Sequence, residues 1–394
     1  MISINLFDKS KDSNVLLAGI IALIIGVGLA RFAFTSLLPY MLIEHLSLTF
    51  AGILASVNFA AYLSGSIFAV FIKDIQKKVF YFRIGLFLAV FTTYVLAFTT
   101  NEYVWLISRM VAGFAAAMCL VVGSAIVMSK LKIKDKTKSM GIHFSGIGFS
   151  IFISDLITRV AFFNNASWIQ AWLYLAVFGS FIILYPLYIL DADKNNKAEL
   201  KTHKLNKTLF SPFVLILIIA YFTEGVGFVI QATFLPDIIN SLEGLDGYGG
   251  LTWLIVGFSG IFSCVIWMKL ASVYGYVNII IISMLLQTLG VLIPTFTNNL
   301  YLNIFSGILY GGTFVGLVAL FMSLGGRLAN DHPVILMGAL SAAYGIGQVI
   351  APLYAVVLTD WSGSYDYALY LTASIILFGA FILLGSKKIL KINY

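Results

Sequence analysis

The feature that most constrains this chain is its succession of long apolar stretches divided by short polar turns. A helix rising 1.5 Å per residue needs about 20 residues to cross a hydrocarbon layer ~30 Å thick. No water is available there to receive backbone N–H and C=O groups, so each stretch must satisfy them internally as a helix. Twelve such spans are expected, over roughly 14–40, 50–72, 79–99, 103–128, 139–163, 168–190, 212–236, 250–269, 277–297, 300–325, 334–359 and 366–385. The expected class is an all-α integral membrane protein. Of 394 residues 60% are hydrophobic and 10% charged, where a soluble domain carries about 25% charge. The polar residues ahead of Asn14 are not followed by a short apolar core and a small-residue cleavage site, so no removable signal peptide is expected. Cys119 and Cys264 both fall inside spans, with no disulfide framework or metal-ligand spacing.

The net charge of +7 would suggest a nucleic-acid partner until the basic residues are placed. All but three of the 24 Lys and Arg residues lie at one side: at Lys9 and Lys11, in the turns holding Lys73–Arg83 and Lys130–Lys138, in the central segment, at Lys269 and Arg327, and at Lys387–Lys391. The opposite turns hold none. By the positive-inside rule both termini and the central segment are cytoplasmic, and the chain is a multi-pass protein of the cell's inner (plasma) membrane. The Lys130–Lys138 run then faces anionic lipid headgroups, and no nucleic-acid partner is expected.

The longest internal polar segment, Asp191 to Ser211, separates six spans from six. The expected organisation is an N-terminal six-helix unit over 1–192, a cytoplasmic linker over 193–211 and a C-terminal six-helix unit over 212–394. The halves echo one another. Gly26-Val27-Gly28 in span one matches Gly225-Val226-Gly227 in span seven, and Thr35 to Pro39 matches Thr233 to Pro236. Span four matches span ten at Gly113/Gly307 and at Met128-Ser129/Met322-Ser323, and Gly146-Ile147-Gly148 in span five resembles Gly345-Ile346-Gly347 in span eleven. Together these point to an internal duplication and two pseudo-symmetric bundles.

Twelve spans, a six-plus-six repeat and a charged central loop resemble the major facilitator superfamily (MFS). Arg109-Met110-Val111-Ala112-Gly113, followed by Ala116-Ala117, is similar to its fourth-helix pattern. The loop after span two keeps Asp74, Lys77 and Lys78 of the superfamily's loop motif but has Val70 and Ile75 where a glycine and an arginine are usual; after span eight, Gly275 is kept and Ser272 stands where an acid would. Gly28-Leu29-Ala30-Arg31-Phe32-Ala33-Phe34-Thr35 with Leu37-Leu38-Pro39 resembles the first-helix signature of the YbfB/YjiJ-type branch. Glu224-Gly225-Val226-Gly227-Phe228 with Ala232 to Pro236 resembles its seventh-helix signature, and Gly338-Ala339-Leu340 to Gly345-Ile346-Gly347-Gln348 adds a third match. The resemblance implies a transporter and leaves its cargo open.

An arginine inside a span is costly, by ~2.5–3.5 kcal/mol on insertion scales, so the polar groups within spans are the candidate site. Counting from the span ends puts Arg31 ~12 Å, Arg109 ~9 Å and Asp155 ~12 Å below the outer face. One arrangement makes them a charge layer over a central cavity, able to receive a carboxylate through guanidinium groups. The other is a static pair of Asp155 with Arg31 or with Arg109. Asp155 and Arg159 also stand at i,i+4 spacing. Glu224, a lone carboxyl at mid-depth between apolar neighbours, suits proton coupling, with Asp155 as a second candidate; a permanently protonated, hydrogen-bonded acid is the structural alternative. Thr35, Asn58, Tyr62, Gln231, Tyr310, Tyr344 and Gln348 lie in cavity-prone spans as candidate substrate-binding groups, though interhelical hydrogen bonds use the same residue types. Trp253 and Trp361 read as interfacial anchors and His143 as an interfacial histidine.

These residues predict a secondary active transporter that moves a small organic solute, anionic or zwitterionic, by alternating access with proton coupling. Its expected partners are that substrate, protons and the lipid bilayer, and a monomer is expected. No phosphate-binding loop, cofactor or catalytic constellation is read, so an enzyme is not expected. An efflux pump for lipophilic compounds and a solute sensor without transport are the competing readings.

Overall fold

A computed structural model describes residues 8–132, 136–191, 211–328 and 333–390. It contains twelve helices long and apolar enough to cross a membrane: Asp12–Glu44, Leu48–Phe71, Ile75–Phe98, Glu102–Lys130, Ser139–Phe163, Trp168–Ile189, Pro212–Asn240, Gly249–Tyr274, Tyr276–Thr295, Leu300–Leu328, Leu336–Ser362 and Asp366–Lys387, called spans one to twelve. They form two six-helix halves. The five linker lysines, Lys194 to Lys207, all lie outside the described residues.

Polar residues in the turns start the helices. Ser47 accepts from the Phe50 amide at 3.2 Å, Asn101 from those of Tyr103 and Val104, and Ser211 from that of Val214, with Pro212 in the first turn. Ser167 and Gln170 form a reciprocal capping box. Asp74, kept from the loop motif after span two, caps span three through the Gln76 amide at 3.0 Å. Gly275 takes φ +87° and lets span eight turn directly into span nine. At the end of the bundle that holds the termini, Asp191 pairs with Arg83 at 2.9 Å and Lys9 at 3.7 Å.

Spans one and seven run further than expected. Pro39 and Pro236 lie inside helices that continue to Glu44 and Asn240, so neither proline marks an end. Span one carries a second irregularity, a π-helical stretch over Ile24–Phe32, and span four has a shorter one over Met118–Val122. The two face each other: a methyl group at Gly26 would run into Cys119. Thirteen residues separate Gly26 from Pro39, but eleven separate Gly225 from Pro236. One residue of this surplus falls between Gly26 and Thr35, where the wide turns take it up, and the other between Thr35 and Pro39, in α-helix beyond them.

The halves meet along two seams. Span five packs on span eight, with Gly148 against the Gly260–Ile261 backbone and Gly257 against Phe152. Span two packs on span eleven, with Gly52 against Val356 and Gly345 against Leu63. Span seven meets span one chiefly along Ala33–Glu44, the part remote from the termini. Thr49 donates to Asp360 at 2.8 Å across the halves at the same end.

Two placements differ from expectation. Trp253 is fully buried, edge-on to Phe32 at 5.9 Å, because its face of span eight turns toward span one; Trp361 is exposed. His143 is buried as well, bonded to the Ser124 hydroxyl at 2.8 Å and packed on Gly19. Distance along a helix gives depth; it does not give the direction a side chain faces.

Candidate functional site

The interface between the halves closes around Arg31. Span one runs thirteen residues beyond it to Glu44, so Arg31 lies ~20 Å from that end, deeper than Pro39 suggested. Its guanidinium carbon sits 4.3 Å from the Phe59 ring centroid and 4.7 Å from that of Tyr62, both on span two. Phe228 of span seven lies at 5.8 Å. Nη2 makes a long contact of 3.4 Å to the Gln348 side-chain oxygen of span eleven, and Nε has no hydrogen-bond partner. Among the described residues Arg31 forms no ion pair. Aromatic faces compensate a buried cation by ~2 kcal/mol or more each when desolvated, yet leave its donors unfilled.

Arg109 stands behind it. Its Nη1 donates to the Ala30 carbonyl at 2.8 Å, its guanidinium lies 4.7 Å from the Phe34 ring, and its Nε is likewise unpartnered. Asn58 donates to the Arg109 carbonyl at 2.9 Å, and Gly113 lets spans two and four approach closely at Asn58. Arg31, Arg109, Thr35, Phe59 and Ala232 line a cavity of about 10 Å³, room for about one water molecule. A larger apolar groove of about 630 Å³ on spans eight, nine and twelve has Trp267, Ile282 and Leu384 in its wall and no charged residue.

Asp155 does not join this group. It pairs with Arg159 at 2.8 Å, the i,i+4 partner, and not with Arg31 or Arg109. The two arginines are therefore adjacent, and the acid expected beside them is turned away.

The remaining candidates divide between the interface and the second half. Thr35 donates its hydroxyl to the Ala232 carbonyl across the interface. Pro236, four residues on from Ala232, has no N–H to offer that carbonyl, so the bond from the opposite half satisfies it. Tyr344 stacks on Tyr221 at 4.6 Å and faces Phe228 at 6.0 Å. Tyr310 donates to the Phe228 carbonyl at 2.5 Å, and Gln231 to the Gly290 carbonyl at 3.3 Å. Glu224 is fully buried in span seven, and neither carboxyl oxygen has a hydrogen-bond partner. Its flanking glycines serve close helix packing, Gly225 on the Tyr344 carbonyl and Gly227 on Ile376.

Sequence reasoning missed Phe59, Phe228 and Tyr221 as site residues, which form the aromatic wall; no spacing sets them apart among 33 phenylalanines and 20 tyrosines. It also missed Gln287, which faces Glu224 from span nine. No group of three or more His, Cys, Asp or Glu side chains among the described residues is placed to hold a metal.

The fold is similar to that of a solved structure of the nucleoside transporter NupG, in a point-mutant form, with a TM-score of 0.70 at 14% identity over 94% of this chain and 99% of that one. A comparison with curated proteins found no match. Residues 23–384 match the family model described as an uncharacterised MFS-type transporter, YbfB. With the match spanning nearly the whole chain, and twelve membrane-length helices in two halves beneath it, this protein belongs to the YbfB family of MFS-type transporters.

Proposed function

We propose that this transporter is a secondary carrier of small organic anions, driven by protons, with Arg31 receiving the substrate's carboxylate. The observation that carries the reading is the state of Arg31: a guanidinium buried where the halves meet, with an unfilled Nε and no carboxylate partner among the described residues. Such a charge is held at a cost unless an anion completes it. A guanidinium offers a carboxylate two parallel donors, a geometry that Gln348 does not supply. Arg109 adds a second positive charge behind the first, and Tyr62, Tyr344 and Phe228 offer faces to an apolar body.

The cavity here is too small for an organic solute, so binding requires the halves to part. The contacts of Thr35 with Ala232 and Thr49 with Asp360 close the end remote from the termini. With the lysine-rich end cytoplasmic, that is the outer end, and alternating access proceeds by exchanging this closure for one at the cytoplasmic end. Glu224 serves as the proton carrier because it is buried, uncompensated and close to the tyrosines that face Arg31.

The test uses purified protein in two steps. A thermal-stability screen compares monocarboxylates, from acetate to benzoate, with their neutral amides. The stabilising carboxylate, radiolabelled, is then offered to proteoliposomes under an imposed pH gradient. Stabilisation by carboxylates and not amides, lost in Arg31→Met, is expected. So is gradient-driven accumulation that Glu224→Gln abolishes while exchange persists. Equal responses to acids and amides would remove the anion reading, and wild-type gradient response in Glu224→Gln would remove the proton reading.

A further inference from the structure

The C-terminal half contains a polar seam between spans seven and nine. Span seven contributes Glu224 and Gln231, seven residues apart and thus on one face. Span nine contributes Ser283 and Gln287, one turn apart. All four are fully buried. At one level the seam is partly satisfied: Gln231 and Ser306 both donate to the Gly290 carbonyl, at 3.3 and 2.5 Å, while the Gln231 side-chain oxygen has no partner. At the level of Glu224 it is not. Both carboxyl oxygens of Glu224, both polar atoms of the Gln287 side chain and the Ser283 hydroxyl have no well-formed hydrogen bond, although Gln287 faces the carboxyl. Spans seven and nine run in the same direction, and Glu224 and Gln287 each lie ~17 Å from the starts of their helices. The facing is therefore a matter of shared depth as well as side-chain reach. Next to it, Thr223 and Met284 pack together on Gly379 of span twelve, which fixes the two helices at this level.

A buried carboxyl and a carboxamide are complementary in one protonation state. The protonated acid donates O–H to the amide oxygen and accepts N–H at its carbonyl oxygen, forming a closed pair of hydrogen bonds. An ionised carboxylate accepts from the amide nitrogen alone and sets a negative oxygen against the amide oxygen. In a dry interior, an unmade hydrogen bond to such groups costs about 1–3 kcal/mol. The other titratable groups around Glu224 are Tyr221 on its own span, Tyr310 on span ten and Tyr344 on span eleven. Span twelve presents Ile376 and Gly379 to span seven. Arg31 is close enough to Tyr310 and Tyr344 to interact with both electrostatically.

We propose that Gln287 is a positioning residue for the transported proton, placed to hold the Glu224 carboxyl in a reciprocal pair once that carboxyl is protonated. The proposal rests on Glu224 as the proton carrier. It separates two duties within span seven: Phe228 faces the substrate site, and Glu224 one turn earlier faces span nine. Spans seven and nine then move as one body when a proton is aboard.

Infrared difference spectroscopy of the purified, reconstituted protein across a pH series tests this, with pH itself as the probe. Wild-type protein should show a hydrogen-bonded carboxylic C=O band that Glu224→Gln removes. Gln287→Met, nearly equal in volume and without hydrogen-bonding atoms, should move that band to higher frequency. It should also shift the pH at which the band disappears by at least about one unit, a tenfold change in proton affinity. Gln287→Asn, which keeps the amide but shortens its reach, should give smaller changes and guards against a folding failure of the first variant. If Glu224→Gln removes the band while both Gln287 variants leave its frequency and pH dependence unchanged, Gln287 has no such role and the carrier reading stands. If Glu224→Gln removes no band, Glu224 holds no exchangeable proton and both readings fall.

Discussion

Replacing Thr35 by valine tests how firmly the end remote from the termini is held shut. The substitution keeps shape and removes the hydroxyl that reaches Ala232. That carbonyl has lost its usual intrahelical donor to Pro236, and Thr35 and Ala232 are both buried, so water does not readily take the donor's place. Hydrogen bonds between membrane helices are worth ~0.6 kcal/mol on average and up to ~1.7. Because this bond joins the two halves, its loss falls on the closed state. The ratio of open to closed should rise roughly three- to eighteen-fold at RT ≈ 0.59 kcal/mol. Spin labels at positions 43 and 361, both exposed near that end, would report the change as a longer-distance population in pulsed electron paramagnetic resonance. The native cysteines are fully buried and will not compete for label. Thr35→Ser should restore the wild-type distribution. If Thr35→Val leaves the distances unchanged, or Thr35→Ser behaves like it, the hydroxyl is not what closes this end.

Other outcomes follow from the same contacts. Arg31→Met exchanges a buried cation for a thioether and should leave the melting temperature equal or higher, by up to ~3 kcal/mol of stability, while weakening carboxylate-induced stabilisation at least tenfold; a lower melting temperature would mean the aromatic cage favours the charge. Asp155→Asn weakens a charge-assisted bond in which Arg159 is one-third exposed and Asp155 is buried, so it should cost ~1–3 kcal/mol and leave the carboxylate response intact. An altered response would place Asp155 in the site after all. Gly225→Val drives a branched side chain into the Tyr344 backbone carbonyl, which cannot move aside as a side chain would. It should cost ~1–3 kcal/mol and lower folded yield, whereas Gly338→Ala, with nothing within 4 Å, should be neutral by size-exclusion profile and melting temperature.

The spans were legible because hydropathy over twenty residues is a property of the chain alone. So were Arg31 and Glu224, since a charge in an apolar run stands out wherever it points. Partnerships were not. Arg31 is enclosed by residues from spans two, seven and eleven, and no spacing within span one announces Phe59 or Phe228. Asp155 pairs with its neighbour one turn away; span one runs on past Pro39 to Glu44, so Arg31 lies deeper than span-end counting placed it. Gln287 sits in Ser283-Met284-Leu285-Leu286-Gln287, where an uncharged amide among leucines gives no signal until span seven is set against it. One clue lay in the sequence unused: the echoed motifs of spans one and seven are spaced thirteen residues apart in one and eleven in the other.

That inequality has a mechanical meaning. In an α-helix each residue advances the facing direction by about 100°, so a segment wound more widely acts as an adjustable joint. If the lower limit of the Ile24–Phe32 stretch stays fixed and its upper limit moves by one residue, everything beyond is re-aimed while the helix remains continuous and hydrogen-bonded. Arg31 is the last residue but one within that stretch. Span seven, one residue shorter from Gly225 to Thr233 than span one is from Gly26 to Thr35, is regular α-helix there. The duplicated halves are thus unequal in kind: wide turns hold the charge in one, and a regular helix stands at the corresponding place in the other.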